Sequence, residues 1–420
     1  MVPSALFLPV GIGDSCGIRR RNQKRRRWPS LLALFAVLVI VGGPACGRPG
    51  PTRHLDKPLV IDSPMASVPS PAAGVPSAWF PGWWASTTRG WRVTGAKGNS
   101  VLESTVDGGH TWASAVPSLF SGKAANFSVI DDRHAFFTQL VPGAGQAATE
   151  LWATDDGGAW QRRAMPPLPQ SVFGLDFQTV TDGWVLVQAE GSHVPSLWRT
   201  QDGGRSWSKL AATGLDTRLQ LEALRFVDAG LGFVSGREYR GGFSVTTGPS
   251  VLPFLARTVD GGSTWTRINL MPPPDVVFPA SLDYIDGVRR LDAGEIAVDA
   301  PVYVGQPAPG NKFPPEKVLI WTSSDDGATW SSPVEAPSST AQFGAYGRSR
   351  WWASGRDGVF TTVDGGVTWS GPFGADQHVV YVDFVNDSTG FGFSSPLGYG
   401  ANDGSILRTD DAAQTWRPLT

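Results

Sequence analysis

From about residue 77 to the end of the chain, apolar and polar positions alternate in short runs of four to eight residues, and Gly or Asp closes nearly every run. In one stretch Val172-Phe-Gly-Leu-Asp-Phe177 is followed by Gly183-Trp-Val-Leu-Val187 and Leu197-Trp-Arg-Thr200, and Trp207 opens a further short run. Successive side chains of a strand point to opposite faces, so each run reads as a strand and the stretch as a four-stranded unit. The same order returns in Val379-Val-Tyr-Val-Asp-Phe384, Gly390-Phe-Gly-Phe-Ser394, Ile406-Leu-Arg-Thr409 and the run from Trp416 to the end. A compressed form appears in Ala341-Gln-Phe-Gly-Ala-Tyr346, Trp351-Trp-Ala-Ser354 and Val359-Phe-Thr-Thr362.

Between the third and fourth runs of each unit lies an octet. The seven are Thr105-Val-Asp107-Gly-Gly109-His-Thr-Trp112, Ala153-Thr-Asp155-Asp-Gly157-Gly-Ala-Trp160, Thr200-Gln-Asp202-Gly-Gly204-Arg-Ser-Trp207, Thr258-Val-Asp260-Gly-Gly262-Ser-Thr-Trp265, Ser323-Ser-Asp325-Asp-Gly327-Ala-Thr-Trp330, Thr362-Val-Asp364-Gly-Gly366-Val-Thr-Trp369 and Thr409-Asp-Asp411-Ala-Ala413-Gln-Thr-Trp416. Successive Trp residues are 48, 47, 58, 65, 39 and 47 apart. The Asp is expected to accept backbone N–H groups a few residues on, the Gly to take a left-handed conformation, and the Trp to enter the core, which together make a stapled hairpin corner. Four-stranded units repeating at this period predict an all-β chain, a seven-bladed β-propeller of four-stranded antiparallel blades over residues 77–420. The long spacings come from insertions at 236–253 and 302–315, which read as loops on one face.

Composition agrees: 18 Trp and 51 Gly stand against only 17% charged residues, as many short strands with tight turns require. Charge changes the picture at the N-terminus, where Arg19, Arg20, Arg21, Lys24, Arg25, Arg26 and Arg27 cluster, leaving 28 basic against 36 acidic residues from Cys46 onward. Such an acidic body repels phosphate backbones, so no nucleic-acid partner is expected. The basic cluster precedes eleven apolar residues, Leu31 to Val41, and then Gly42-Gly-Pro-Ala-Cys46. A bilayer span needs about 20 apolar residues and a signal-peptide core roughly 7–15, so residues 1–45 read as a targeting segment. Small residues before Cys46 resemble the lipobox of bacterial lipoproteins, which implies lipidation of Cys46; Gly43 stands where that family has Leu, so an ordinary signal peptide or an uncleaved anchor also remains open. Residues 46–76, with Pro49, Pro51, Pro58, Pro64, Pro69, Pro71 and Pro76, read as an extended tether. The expected place is outside the cytoplasm, at the outer face of the cytoplasmic membrane. Cys16 and Cys46 are the only cysteines, so no disulfide forms in the remaining 374 residues.

The octets resemble the Asp-box, or bacterial neuraminidase repeat. Gly90-Trp-Arg-Val-Thr-Gly95 leading into the first of them is most similar to the photosystem II stability/assembly factor family and its non-photosynthetic bacterial relatives. That resemblance implies a seven-bladed propeller with the box on the outer rim. Sialidases, sortilin-like receptors and xyloglucan-active glycosidases share the box, so it carries no activity of its own.

A sialidase would need an Arg cluster, a Tyr–Glu pair and an acidic residue, introduced by a Phe- or Tyr-Arg-Ile-Pro segment, and the sequence has none; Tyr239, Tyr284, Tyr303, Tyr346, Tyr381 and Tyr399 stand in no such setting. A carboxylate pair for glycoside hydrolysis is not legible, because separation in space is not written in the sequence. His54, His110, His134, His193 and His378 lack ligand spacing, so neither metal nor cofactor is expected. The basic residues Arg237, Arg240, Arg289, Arg290, Arg348 and Arg350 are candidate partner-binding residues, provided they converge on one face; the alternative is solvated strand ends. Of the pairs Trp83-Trp84 and Trp351-Trp352, one member each is expected in the core. The functional expectation is a non-catalytic, monomeric scaffold or protein-binding propeller assisting a membrane complex, with a glycan-binding or glycoside-hydrolysing propeller as the alternative.

Overall fold

Each octet-bearing unit folds as one sheet. A computed structural model of the chain describes residues 82–94, 101–115, 124–141, 148–167, 170–189, 195–216, 218–240, 250–274, 276, 285, 287–292, 294–302, 317–337, 340–394 and 404–419. The targeting segment expected over 1–45, the tether over 46–76 and Cys46 lie outside the described residues. Seven four-stranded sheets follow one another, each made of four consecutive strands in sequential order. In blade 3 strands a to d are Gln170–Phe177, Gly183–Ala189, Pro195–Thr200 and Ser208–Lys209, all antiparallel. The a strands of successive blades lie side by side, which puts them around the axis and the octets, between strands c and d, at the rim. Of the insertion at 236–253, both ends extend the ladder of blade 4, from Gly236 opposite Phe254 to Arg240 opposite Ser250; residues 241–249 lie outside the described residues.

Seven clusters of the core form a ring, each shared by two adjacent blades, and a small eighth cluster of Val380 and Phe393 lies within blade 7. Ala85, Trp91, Leu102 and Phe137 join blades 1 and 2; Phe136, Leu151, Phe177 and Val185 join 2 and 3. Trp184, Leu197, Phe226 and Val234 join 3 and 4, and Phe233, Leu255, Ile296 and Trp321 join 4 and 5. Ile320, Phe343 and Trp351 join 5 and 6, Trp352, Val382 and Phe384 join 6 and 7, and Trp84, Phe391, Ile406 and Leu419 bring blade 7 back to blade 1.

Flat aromatic contacts recur at these seams. Trp84 stacks on Phe391 at 3.4 Å, Phe136 on Phe177 at 3.5 Å, and Trp184 on Phe226 at 3.8 Å between ring centroids. One ring of each pair ends an a strand and faces the glycine that opens its own b strand. At Gly183 a Cβ would stand 2.4 Å from the Phe177 ring, so only glycine fits there. The innermost strands would leave backbone N–H groups unpaired, and side chains of the preceding blade take them. Ser128 accepts from Phe177 at 3.0 Å, Asp176 from Phe226, and Gln342 from Val382 at 3.1 Å.

The tryptophans distribute differently from expectation. Trp160, Trp265 and Trp416 are buried, but Trp112, Trp207, Trp330 and Trp369 are only half-buried at the rim. Among the described residues the Trp side chains with no exposed surface are Trp91, Trp184 and Trp321, on strands b and c, because those strands are covered by blades on both faces. Trp84, Trp351 and Trp352 are all buried, and Trp83, half-buried, stacks on Phe127 at 4.4 Å.

Candidate functional site

The octets form the most regular chemical feature of the molecule. In blade 4 the Asp260 carboxylate accepts the N–H groups of Ser263 and Thr264 at 3.0 and 2.9 Å and both hydroxyls of Thr258 and Thr264, at 2.8 and 2.6 Å. Thr258 Oγ1 in turn accepts the Gly262 N–H at 3.0 Å. Asp107, Asp202, Asp325, Asp364 and Asp411 repeat the pattern with the hydroxyl residues two before and four after them. The hydroxyls beside Asp202, Asp260 and Asp325 hold these carboxyls down at about 2, and the two threonines around Asp364 do the same. The two flanking hydroxyl residues were not singled out from the sequence, although their recurrence in the octets is the signal that marks them.

Blade 2 departs from the expected pairing. Asp156, not Asp155, takes the central place: it accepts from Thr154 Oγ1 at 3.1 Å and from the N–H groups of Gly158 and Ala159 at 2.8 and 2.7 Å. Asp155 instead faces Arg163 at 3.3 Å, largely exposed. The hydroxyl residue two positions earlier sets the register, and this turn is one residue shorter between Asp and Trp160 than its siblings.

The octets also tie blades together. Trp91 donates its indole N–H to the Gly157 carbonyl of the next blade at 3.0 Å, Trp184 to that of Gly261 at 3.0 Å, and Arg408 of blade 7 donates to Thr87 of blade 1 at 2.8 Å.

The six candidate arginines do not converge. Arg348 and Arg350 lie at the octet end of blade 6, where Arg348 holds Glu295 of blade 5 and Arg350 faces Asp387 at 3.4 Å. Arg237 sits well along strand b of blade 4 and pairs with Glu222 at 2.9 Å, while Arg240 closes that strand at its far end, away from the octets. Arg290 donates to the Val227 carbonyl at 3.5 Å. Arg289 is buried, bonded to Asp299 at 2.7 Å and over the Phe343 ring at 5.3 Å, so a partner-binding role for it gives way to packing between blades.

Buried carboxylates gather on the inner strands. Burial raises Asp176, against the opposing pull of Arg225 at 3.0 Å, and burial pushes Asp383 up to about 7, with the Arg289 charge opposing it. Among the described residues no three metal-ligating side chains come together.

One sizeable cleft, about 580 Å³, opens on the octet face between blades 5 and 6. Its walls carry Trp330, Ser331, Ser349, Asp364 and the Glu295–Arg348 pair. In six blades strand d starts at or directly after the octet Trp, but in blade 5 it starts at Val334, four residues beyond Trp330. Ser331 alone bonds back, its N–H to the Thr322 carbonyl at 2.8 Å, and the corner stays open. The same face exposes Val106, Val180, Val259, Val363 and Val367, at 41% to 76% of their full area.

No protein-family model matches the sequence, and no curated protein is similar to it at a significant level. Among solved structures, YCF48 bound to a D1 peptide is 18% identical over 77% of this chain and 90% of that one, with a TM-score of 0.49. YCF48 from Cyanidioschyzon merolae is 16% identical over 82% and 98%, with a TM-score of 0.48. An ulvan lyase of a polysaccharide lyase family is 12% identical over 84% and 97%, with a TM-score of 0.46. The structural neighbours are therefore YCF48, photosystem II assembly factor-like, and other β-propellers, and at these identities the likeness is one of fold.

Proposed function

We propose that this chain is a non-catalytic propeller working outside the cytoplasm, held at the outer face of the cytoplasmic membrane by a lipid on Cys46, and that it binds a protein partner on its octet face. The observation that carries the reading is the set of five exposed valines on that one face, Val106, Val180, Val259, Val363 and Val367, set among polar turns. Val363 and Val367 share one corner and the other three stand on separate blades, so a protein partner that spans several blades would cover them together. The buried carboxylates lend support, since Asp176 and Asp299 are bonded to Arg225 and Arg289 inside the ring. Service to the assembly of a membrane complex is the finer form of the reading, supported by the resemblance of the octets to those of the assembly-factor family.

Cross-linking in membranes followed by co-purification tests it. A chain with Val106, Val363 and Val367 all changed to Lys should lose the neighbours that the wild type captures, at an unchanged melting temperature. Identical neighbours from both chains would refute the octet face as the binding surface, and turnover of fluorogenic glycosides would refute the non-catalytic reading. Cys46→Ser should release the protein from membranes; retention would point to an uncleaved anchor.

A further inference from the structure

The cleft between blades 5 and 6 has a chemistry of its own. Its one Arg, Arg348, is held bidentately by Glu295 through Nε, at 2.7 Å, and Nη2, which cancels the charge of both. The Asp364 carboxylate is spent on Thr362 and Thr368, each at 2.6 Å. What remains open to a ligand is a half-buried indole, the Ser349 hydroxyl, the outer nitrogen of Arg348 and the spare bonding capacity of the Ser331 hydroxyl, which already accepts the Thr322 N–H and meets the Thr322 hydroxyl, each at 3.1 Å. A net-acidic wall disfavours an anion, and the shortage of aliphatic side chains disfavours an acyl chain. A ligand that offers an apolar ring face to an aromatic and hydroxyls to everything else satisfies the remaining groups. The volume lies within the roughly 300–1,000 Å³ of small-ligand sites.

We infer that this cleft binds a neutral glycan, with one pyranose ring against Trp330 and its hydroxyls shared among Ser331, Ser349 and Arg348. The site owes its existence to the late start of strand d in blade 5, which moves the outer strand away from Trp330. It goes beyond the protein-binding reading and does not depend on it: Val363 borders the cleft beside Asp364, but Val106, Val180 and Val259 stand on blades 1, 3 and 4, and the test reads sugar binding directly, so its failure is distinguishable from a failure to capture a protein partner.

Isothermal titration of the full chain with cellotetraose, mannotetraose and chitotetraose tests the inference, with tetragalacturonate as the charged comparison. At least one neutral tetrasaccharide should bind, and tetragalacturonate at least tenfold more weakly. Trp330→Ala should weaken binding tenfold or more. Because Trp330 also touches Phe233, at 6.5 Å between centroids, its loss could disturb folding. Ser349→Tyr, which fills the cleft from an exposed position, should weaken binding to the same extent at an unchanged melting temperature. No binding of any neutral tetrasaccharide, preference for tetragalacturonate, or binding that Ser349→Tyr leaves intact would each overturn the assignment.

Discussion

Asp260 fixes its corner through bonds that a carboxylate accepts in full and a protonated acid does not. Its folded value of about 2 lies below the ordinary aspartate value, so the stabilisation it provides is present above about pH 4 and is lost as the pH falls from there through 2. Asp202, Asp325 and Asp364 share the direction, so their losses coincide. Thermal melts should therefore show a steep fall in midpoint between pH 4.5 and 2, shallower in Asp260→Ala, which should itself cost about 1 kcal/mol at neutral pH, as a lost cap does. Asp383 works the other way. Its value is raised by burial to about 7, so its ionisation burdens the folded state as pH climbs from about 4 to 7, and the burden is complete above that. Asp383→Asn should raise the melting temperature at pH 8 and change it little at pH 4, and equal shifts at the two pH values would contradict the buried-acid assignment.

At the scale of the element, the corner was legible where its spacing repeats and misread where it does not. In blade 2 two aspartates stand side by side, and only the hydroxyl of Thr154, two before Asp156, decides between them. Asp156→Ala should thus lower stability by about 1 kcal/mol, while Asp155→Ala, at an exposed ion pair, should fall within about 0.5 kcal/mol of wild type, both by chemical denaturation. Blade 7 carries a different irregularity: Ala412 and Ala413 occupy left-handed conformations, φ 58° and 75°, that the other corners give to glycine at one or both positions. An L-residue there costs about 1–2 kcal/mol, so Ala412→Gly should raise the midpoint of unfolding despite its greater backbone entropy in the unfolded chain. The strands themselves were readable from alternation, since 172–177, 183–187 and 197–200 each fall inside an observed strand. The cleft of blade 5 was not readable, because Ser331-Ser-Pro333 looks like any other link, and its effect is to delay the pairing of strand d, which meets strand c only at Leu319 and Ile320.

Whether six arginines share a face, or seven sheets close, is a property of the whole ring, and period alone cannot supply it. Arg348 and Arg237 sit near opposite ends of their blades because blade b strands run away from the octets, a direction no local motif encodes. Closure is similar. Among the described residues blades 1 and 7 are each complete from one continuous stretch of chain, no strand is shared across the seam, and the contacts that hold it are made by side chains. The seam consists of Trp84 stacked on Phe391, Leu419 and Ile406 beside them, and Arg408 reaching the Thr87 carbonyl. Elsewhere in the ring a weakened seam is backed by the peptide chain that continues from one blade to the next; here it is not. Trp84→Ala removes a buried ring at that point and should cost about 3–5 kcal/mol. It should also speed amide exchange in residues 82–94 and 379–394 together, well before blades 3 and 4 respond. Faster exchange confined to residues 82–94 would mean that blade 7 does not depend on the seam, and that the ring is held closed by something other than these side chains.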